Sequence, residues 1–251
     1  MSPPRIFGLE ISPLTAAQIA RKVVEDTPPG DSLGLIVTPN IQNIALLYEN
    51  KASRAAYDRA AIICCDGFPV HYYARLRGCP SPERVTGTEI TELIMSRESF
   101  PDHHRFFFVV ATEALAEAVH LWAGRRGLGE RVATLVPDFG FEADAAKSAG
   151  LAAAIRAHGT TILFLGLGSP KSEVFADRCR ADLPACWTLC IGQAVKMALG
   201  MTPRPPRPVR TFNLEWAWRL GLEPRRLFWR YVRSSVLFLA AVARDLRGGS
   251  Q

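Results

Sequence analysis

The sequence predicts an α/β protein: a Rossmann-like, mostly parallel sheet with helices on both faces, followed by a C-terminal helical appendage. Three observations point there. Six short apolar runs alternate with longer amphipathic stretches along the first 200 residues. Each run ends near Gly, Pro, Asp or Asn, where a strand gives way to a turn. The last fifty-one residues then change character, with ten Arg against three acids, while residues 1–200 carry 20 Lys and Arg against 21 Asp and Glu. We therefore divide the chain into a core, 1–200, and an appendage, 201–251.

The strands are expected at 33–38, 61–65, 106–111, 132–136, 161–165 and 187–191. Each is short, apolar and mostly β-branched or aromatic, as strands buried on both faces of a parallel sheet must be. Helices are expected at 41–58, 68–77, 88–98, 113–126, 142–157 and 171–181, where apolar residues recur at helical spacing. The six cysteines show no C-x-x-C pair and no zinc spacing, and read as buried small apolar residues in a reducing compartment. His103-His104 reads as an exposed loop pair, and Glu142-Ala143-Asp144 as part of a solvated helix face. Residues 1–8 lack an apolar signal core. The longest uncharged apolar run near the tail, 234–243, falls far short of the ~20 residues a spanning helix needs. The expected location is cytoplasmic, peripheral on the inner face of the cell membrane.

In an open parallel sheet the ligand crevice lies beyond the carboxyl ends of the strands. The residues at those ends are Thr38-Pro39-Asn40, Asp66-Gly67, Pro137-Asp138-Phe139-Gly140, the loop 166–173, and Gly192-Gln193. Taken singly, each has an ordinary structural reading: Asn40 as a helix cap, Asp66-Gly67 as a turn, Gly140 as a loop glycine. Together they converge on one edge. The loop Gly166-Leu167-Gly168-Ser169-Pro170-Lys171-Ser172-Glu173 is the best anion signal. Its glycines admit a phosphate close to the backbone, Pro170 opens a helix whose first N–H groups are expected to point outward, and Lys171 adds a cation. It lacks the third glycine of a dinucleotide fingerprint, and no phosphate-binding Gly-x-x-x-x-Gly-Lys-Ser/Thr loop occurs. No strict Asp-x-Asp occurs either, so no metal site and no cofactor is expected. A diphosphate would then be balanced by Arg, Lys and backbone N–H groups.

The tail interleaves Arg with large apolar and aromatic residues. That suits a bilayer face bearing a lipid phosphate, and the aliphatics favour lipid over nucleic acid. The bland alternative is a solvated helix packed on the core through its aromatics.

In order along the chain, Thr38-Pro39-Asn40, Asp66-Gly67, Glu83-Arg84-Val85-Thr86-Gly87-Thr88, 166–173, Arg204-Pro205-Pro206, Asn213-Leu214-Glu215-Trp216, Arg219 and Glu223-Pro224-Arg225-Arg226 resemble the WecG/TagA/CpsF family of bacterial glycosyltransferases. The resemblance spans roughly 33–235. It implies an inverting, metal-independent transfer of a sugar from a UDP-sugar donor to a polyprenyl-diphosphate-linked sugar, at the cytoplasmic membrane surface, for cell-surface polysaccharide synthesis. It implies Asp66 as the base, with Thr38 and Asn40 orienting sugar hydroxyls and Arg84 and Lys171 balancing charge on UDP. The donor surface would include Gly67, Thr88, Asp138, Gly166, Gly168, Pro170, Lys171, Ser172, Glu173 and Gln193. Arg204, Arg219, Arg225, Arg226, Arg230 and Arg233 would meet the acceptor diphosphate and the membrane. A homo-oligomer is compatible with this reading. Three positions depart from the family pattern: Ser172 stands for a usual Gln, Val109 to Thr112 replace a Gly-Gly, and Lys196 stands for an acid. They motivate one alternative, a membrane-bound nucleotide-sugar-binding module that has lost catalysis. A nucleotide-dependent oxidoreductase would need a glycine fingerprint after the first strand, and 33–40 lacks it.

Overall fold

The computed structural model describes residues 4–28, 33–202, 206, 209, 215–222 and 224–248. A short hairpin, β1 (Arg5–Ile6) and β2 (Leu9–Glu10), is followed by α1 (Ala16–Glu25). Then come β3 (Gly34–Val37), α2 (Ile41–Glu49), α3 (Lys51–Asp58), β4 (Ile62–Ile63), α4 (Phe68–Leu76) and α5 (Gly87–Met95). They are followed by β5 (Phe106–Val109), α6 (Glu113–Arg125), β6 (Val132–Leu135), α7 (Ala145–Ala157), β7 (Ile162–Leu165), α8 (Lys171–Arg178), β8 (Trp187–Cys190) and α9 (Ala194–Ala198). The described tail forms α10 (Glu215–Leu222) and α11 (Pro224–Gly248). All six expected strands are present. They pair in parallel in the order β4-β3-β8-β7-β5-β6.

The alternation within each strand builds two cores. Leu35, Val37, Phe107, Val109, Leu163 and Leu165 face one cluster, and Ile36, Phe106, Phe108, Ile162 and Phe164 face the other. Side chains of α2, α3, α4, α7 and α8 fill the first, and those of α1, α5, α6 and α9 fill the second. A period of two with both faces covered explains why the strands read as unbroken apolar runs.

Several local expectations change. The single helix at 41–58 is two helices, because Asn50 takes an extended backbone (φ −129, ψ 106) and caps the second through Ser53 N. The helix expected from 142 starts at Ala145; Asp144 is its cap, and 141–143 form a 3₁₀ turn, so Glu142 and Asp144 do not share a solvated helix face. His104 is buried rather than exposed: its Nε2 lies 2.7 Å from Val24 O and its Nδ1 3.0 Å from Thr161 Oγ1. Those two partners tie the loop before β5 to α1 and to the start of β7, and burial holds the imidazole below its ordinary pKa. All six cysteines are free and buried.

The last helix is fastened to the core. Ser234, Phe238, Ala241 and Asp245 recur at helical spacing on its inner side. Phe238 and Ala241 belong to the first cluster, and Phe238 meets Phe7 with ring centroids 5.8 Å apart. The Asp245 carboxylate accepts from Phe7 N–H (2.6 Å) and Tyr73 O–H (2.8 Å), and Arg233 pairs with Glu49 at 3.1 Å. Hydrogen bonds to charged groups contribute about 1.5–3 kcal/mol each. Asp245→Ala is therefore expected to lower the unfolding free energy by about 2 kcal/mol, since it strands two donors. Urea unfolding checks this; a change below about 0.5 kcal/mol would mean that apolar packing alone docks the helix.

Candidate active site

The crevice follows from which face each loop turns to. After β3 the chain passes to α2, on the first cluster, and after β8 it passes to α9, on the second. Neighbouring strands whose connections leave in opposite directions open a cleft at their carboxyl ends. Loop contacts define its floor. Asp66 N–H donates to Pro39 O (3.0 Å) and Val85 N–H to Cys65 O (3.1 Å), which sets Asp66 between the Thr38-Pro39-Asn40 turn and the Arg84–Gly87 segment. A Cβ on Gly87 would stand 3.2 Å from Thr38 Oγ1 and 3.4 Å from Ile191 Cγ2, so the start of α5 closes onto the ends of β3 and β8. A Cβ on Gly166 would stand 3.2 Å from Val109 O and 3.3 Å from Gly192 O, so the bare glycine lets these three backbones approach closely. Gly67 (φ +87) lies beyond the reach of most L residues and turns the chain straight from Asp66 into α4.

The structure thus brings Thr38, Asn40, Asp66, Gly67, Arg84, Thr88, Gly166, Gly168 and Gln193 to one edge of the sheet. Asp66 is half-buried. Asn40 is also the α2 cap: its Oδ1 accepts from Gln42 N (2.9 Å) and Asn43 N (3.3 Å), which leaves the amide nitrogen as the group it can offer a ligand. Arg84 lies close enough to Glu89 and His71 to influence both. Thr88 Oγ1 lies 3.6 Å from Met197 Sδ, and Gln193 is exposed at the start of α9.

Other expected site residues are differently placed. Lys171 Nζ pairs with Glu142 (2.8 Å) and lies over the ring of Phe139, so its charge is already balanced from the 3₁₀ turn. Asp138 is exposed and pairs with Lys147 at 2.6 Å, which holds its carboxyl below the usual range. Ser172 and Glu173 turn inward. Ser172 Oγ donates to Leu165 O (3.3 Å), and Glu173 is 4% exposed. The N–H groups at the start of α8 are partly occupied from within, since Ser172 N–H donates to Gly168 O (3.1 Å). Pro170 caps α8 without a side-chain bond. One polar residue without a motif joins the site from below: Asn43, whose Oδ1 accepts from Asn40 N (3.1 Å).

In the tail, Arg225, Arg230 and Arg233 are exposed, with Arg230 over the ring of Tyr231. Arg204 lies outside the described residues, as do the side chains of Arg219 and Arg226. The Glu49 pairing puts Arg233 at the far end of α2 from Asn40. Among the described residues no helix is long and apolar enough to cross a membrane, and no three His, Cys, Asp or Glu gather as a metal site. Elsewhere a cavity of ≈490 Å³ lies among Arg59, Arg156, Arg178 and Arg180, just before β4 and β8 and so at the other end of the sheet. Its guanidinium groups donate to backbone carbonyls, Arg156 to Ala181 and Asp182 and Arg180 to Leu33, which makes them structural.

Fold and crevice together give a Rossmann-like α/β protein with a candidate site at the carboxyl edge of a parallel sheet. The comparisons give the family: residues 4–251 match the model described as "Glycosyl transferase WecG/TagA/CpsF family", and the chain belongs to that family of glycosyltransferases. It is also similar to an N-acetylglucosaminyldiphosphoundecaprenol N-acetyl-β-D-mannosaminyltransferase of Bacillus spizizenii, 26% identical over 223 residues, covering 86% of this chain and 81% of the relative.

Proposed function

We propose that this protein transfers a sugar, with inversion, from a UDP-sugar to a polyprenyl-diphosphate-linked sugar at a membrane surface. The observation that carries the reading is the meeting of Thr38, Asn40, Asp66 and the Arg84–Gly87 segment at one sheet edge in a chain of this family. The relative's name supplies the acceptor class, an N-acetylglucosaminyl-diphospho-lipid. In the proposed reaction an acceptor hydroxyl oxygen attacks C1 of the donor sugar and its proton passes to the Asp66 carboxylate. The C1–O bond to the diphosphate breaks, and UDP leaves with the electron pair. Arg84 and the backbone N–H groups of Leu167 and Gly168 balance the growing negative charge. Residues 1–200 carry this chemistry, and 201–251 carry the acceptor and membrane surfaces.

The test is a mass-spectrometric screen of UDP-sugars against a synthetic N-acetylglucosaminyl-diphospho-polyprenol. A disaccharide-lipid product with released UDP supports the reading. UDP-sugar binding with no product from any donor would favour the catalytically decayed module instead. We further expect transfer to persist in excess EDTA, because the sequence offers no Asp-x-Asp to hold a metal against the diphosphate. Full loss in EDTA, restored by Mg²⁺ or Mn²⁺, would overturn the metal-free mechanism.

A further inference from the structure

The outer face of α4 is apolar and exposed. At 3.6 residues per turn Phe68, Tyr72 and Leu76 fall within about 80° of one another, with Arg75 beside Phe68 on the same side. The three apolar residues are 49%, 53% and 67% exposed, and Arg75 is exposed too. The opposite side of the helix is fixed. Val70, Tyr73 and Ala74 lie in the first cluster, and the Tyr73 hydroxyl donates to Asp245 of α11. Single exposed apolar side chains are ordinary, but a run of them on one helix face marks a binding surface. Phe68 and Tyr72 are also ordered against each other, their ring centroids 5.6 Å apart and their planes 19° apart. The run begins two residues after Asp66, because Gly67 (φ +87) turns the chain straight from the proposed base into the first turn of α4.

We propose that the outer face of α4 is the acceptor surface: the acceptor sugar stacks on the Phe68–Tyr72 pair, its diphosphate meets Arg75, and its first isoprene units lie along Leu76. The inference deepens the glycosyltransferase reading above and rests on it. Its warrant is an order of chemistry. The acceptor runs from a hydroxyl-bearing sugar through a diphosphate to a hydrocarbon. From the crevice outward, α4 offers an aromatic pair, then a guanidinium and an aliphatic side chain side by side. Phe68 and Arg75 are about 10 Å apart along the helix axis, which leaves room for one sugar residue between the base and the phosphates. A pyranose ring is polar at its rim but turns C–H bonds outward on its faces, and these suit the negative face of an aromatic ring. Because α4 is anchored on its core side and the two rings already lie against each other, little freedom is lost when a sugar binds. Guanidinium then takes phosphate oxygens in a fork. The donor is expected elsewhere. Its proposed diphosphate contacts at 167–168 follow β7, which stands three places from β4 in the sheet, about 14 Å away.

The test compares Phe68→Ala, Phe68→Trp, Tyr72→Ala and Leu76→Ala in the full chain. Two N-acetylglucosaminyl-diphospho-lipids serve as probes, one with a short soluble chain and one with several isoprene units in detergent. Acceptor KM, donor KM and kcat are measured, and binding of the short-chain probe is read by calorimetry with UDP present. We expect Phe68→Ala and Tyr72→Ala each to weaken acceptor binding and raise acceptor KM about 10-fold, with donor KM within about two-fold of the parent. Phe68→Trp keeps an aromatic face and should recover most of the loss. Leu76→Ala should raise KM only for the longer acceptor. Both aromatic side chains are exposed, so circular dichroism should show the parental fold, and Tyr72→Ala keeps the comparison usable should Phe68→Ala fail to fold. Parental acceptor KM and affinity in both alanine variants would overturn the acceptor surface. An equal rise in donor KM would also overturn it, by moving the aromatic pair to the donor side. A parent that binds the acceptor but transfers no sugar would instead refute the proposed function, while the binding comparison still decides the surface.

Discussion

Replacing Asp66 with Asn is expected to lower the transfer rate ~10²–10⁴-fold, the usual contribution of a general base, while UDP affinity stays within a few-fold. The substitution keeps size and polarity but removes proton acceptance. It leaves the backbone intact, because the Asp66 N–H that bonds Pro39 O is unaffected by the side chain. The two groups proposed to balance diphosphate charge, Arg84 and the 167–168 backbone, are untouched, which is why binding and chemistry should separate. Asp66 is half-buried and follows Cys64 and Cys65, two buried residues just past β4, so it is partly shielded yet at the surface of the crevice. Single-turnover assays on the lipid acceptor, with UDP binding measured alongside, check this. Near-parental turnover in the Asn variant would remove Asp66 from the role of base, and a matched loss of UDP affinity would make it a donor ligand.

The sheet was legible because the strands lie buried on both faces, and a run such as Phe106 to Val109 is apolar at every position. The order β4-β3-β8-β7-β5-β6 was not legible, since it depends on contacts between runs more than 100 residues apart, as β3 and β8 are. Two-residue strands such as β1 and β2 leave no period to read, whereas α1 carried a readable signal: Thr15 and Gln18 cap each other. In the site, residue type and loop position were readable, but direction was not. Ser172 and Glu173 read as crevice residues because they follow a glycine loop. Their side chains go inward because they lie on the side of α8 that packs toward the sheet and α3. Lys171 read as a free cation because its partner, Glu142, is 29 residues away in sequence.

The exposed side of α11 is expected to hold the protein on anionic vesicles and to be needed for transfer to a membrane-embedded acceptor. At 3.6 residues per turn, Phe228, Val232, Leu239 and Leu246 fall within about 40° of one another, with Val236 and Trp229 at the edge of the same stripe. All six are exposed, and Trp229, Val236 and Leu239 are the most so, at 73%, 62% and 66%. The stripe lies across the helix from Ser234, Phe238, Ala241 and Asp245, which face the core, so it is not the packing face. Arg233 and Arg244 lie along one side of it, an arrangement suited to a headgroup layer. Deleting 201–251 would ask a different question, because Phe238 and Ala241 belong to the buried core and Asp245 holds Phe7 and Tyr73. The cleaner variant joins Trp229→Glu, Val236→Glu and Leu239→Glu. A large apolar side chain contributes about 1.5–3 kcal/mol when fully buried, so three half-embedded ones contribute about 3 kcal/mol. That is ~10²-fold in partition, before the repulsion of three new carboxylates from anionic lipid. Vesicle co-sedimentation should fall by at least that factor. Transfer to a long-chain acceptor in vesicles should fall with it, while transfer to a short-chain, water-soluble acceptor stays near the parental rate. Circular dichroism should show the parental fold, since each change is on an exposed side chain. Undiminished co-sedimentation would show that the stripe does not meet the bilayer, and an equal loss on the short-chain acceptor would move its role from the membrane to the active site itself.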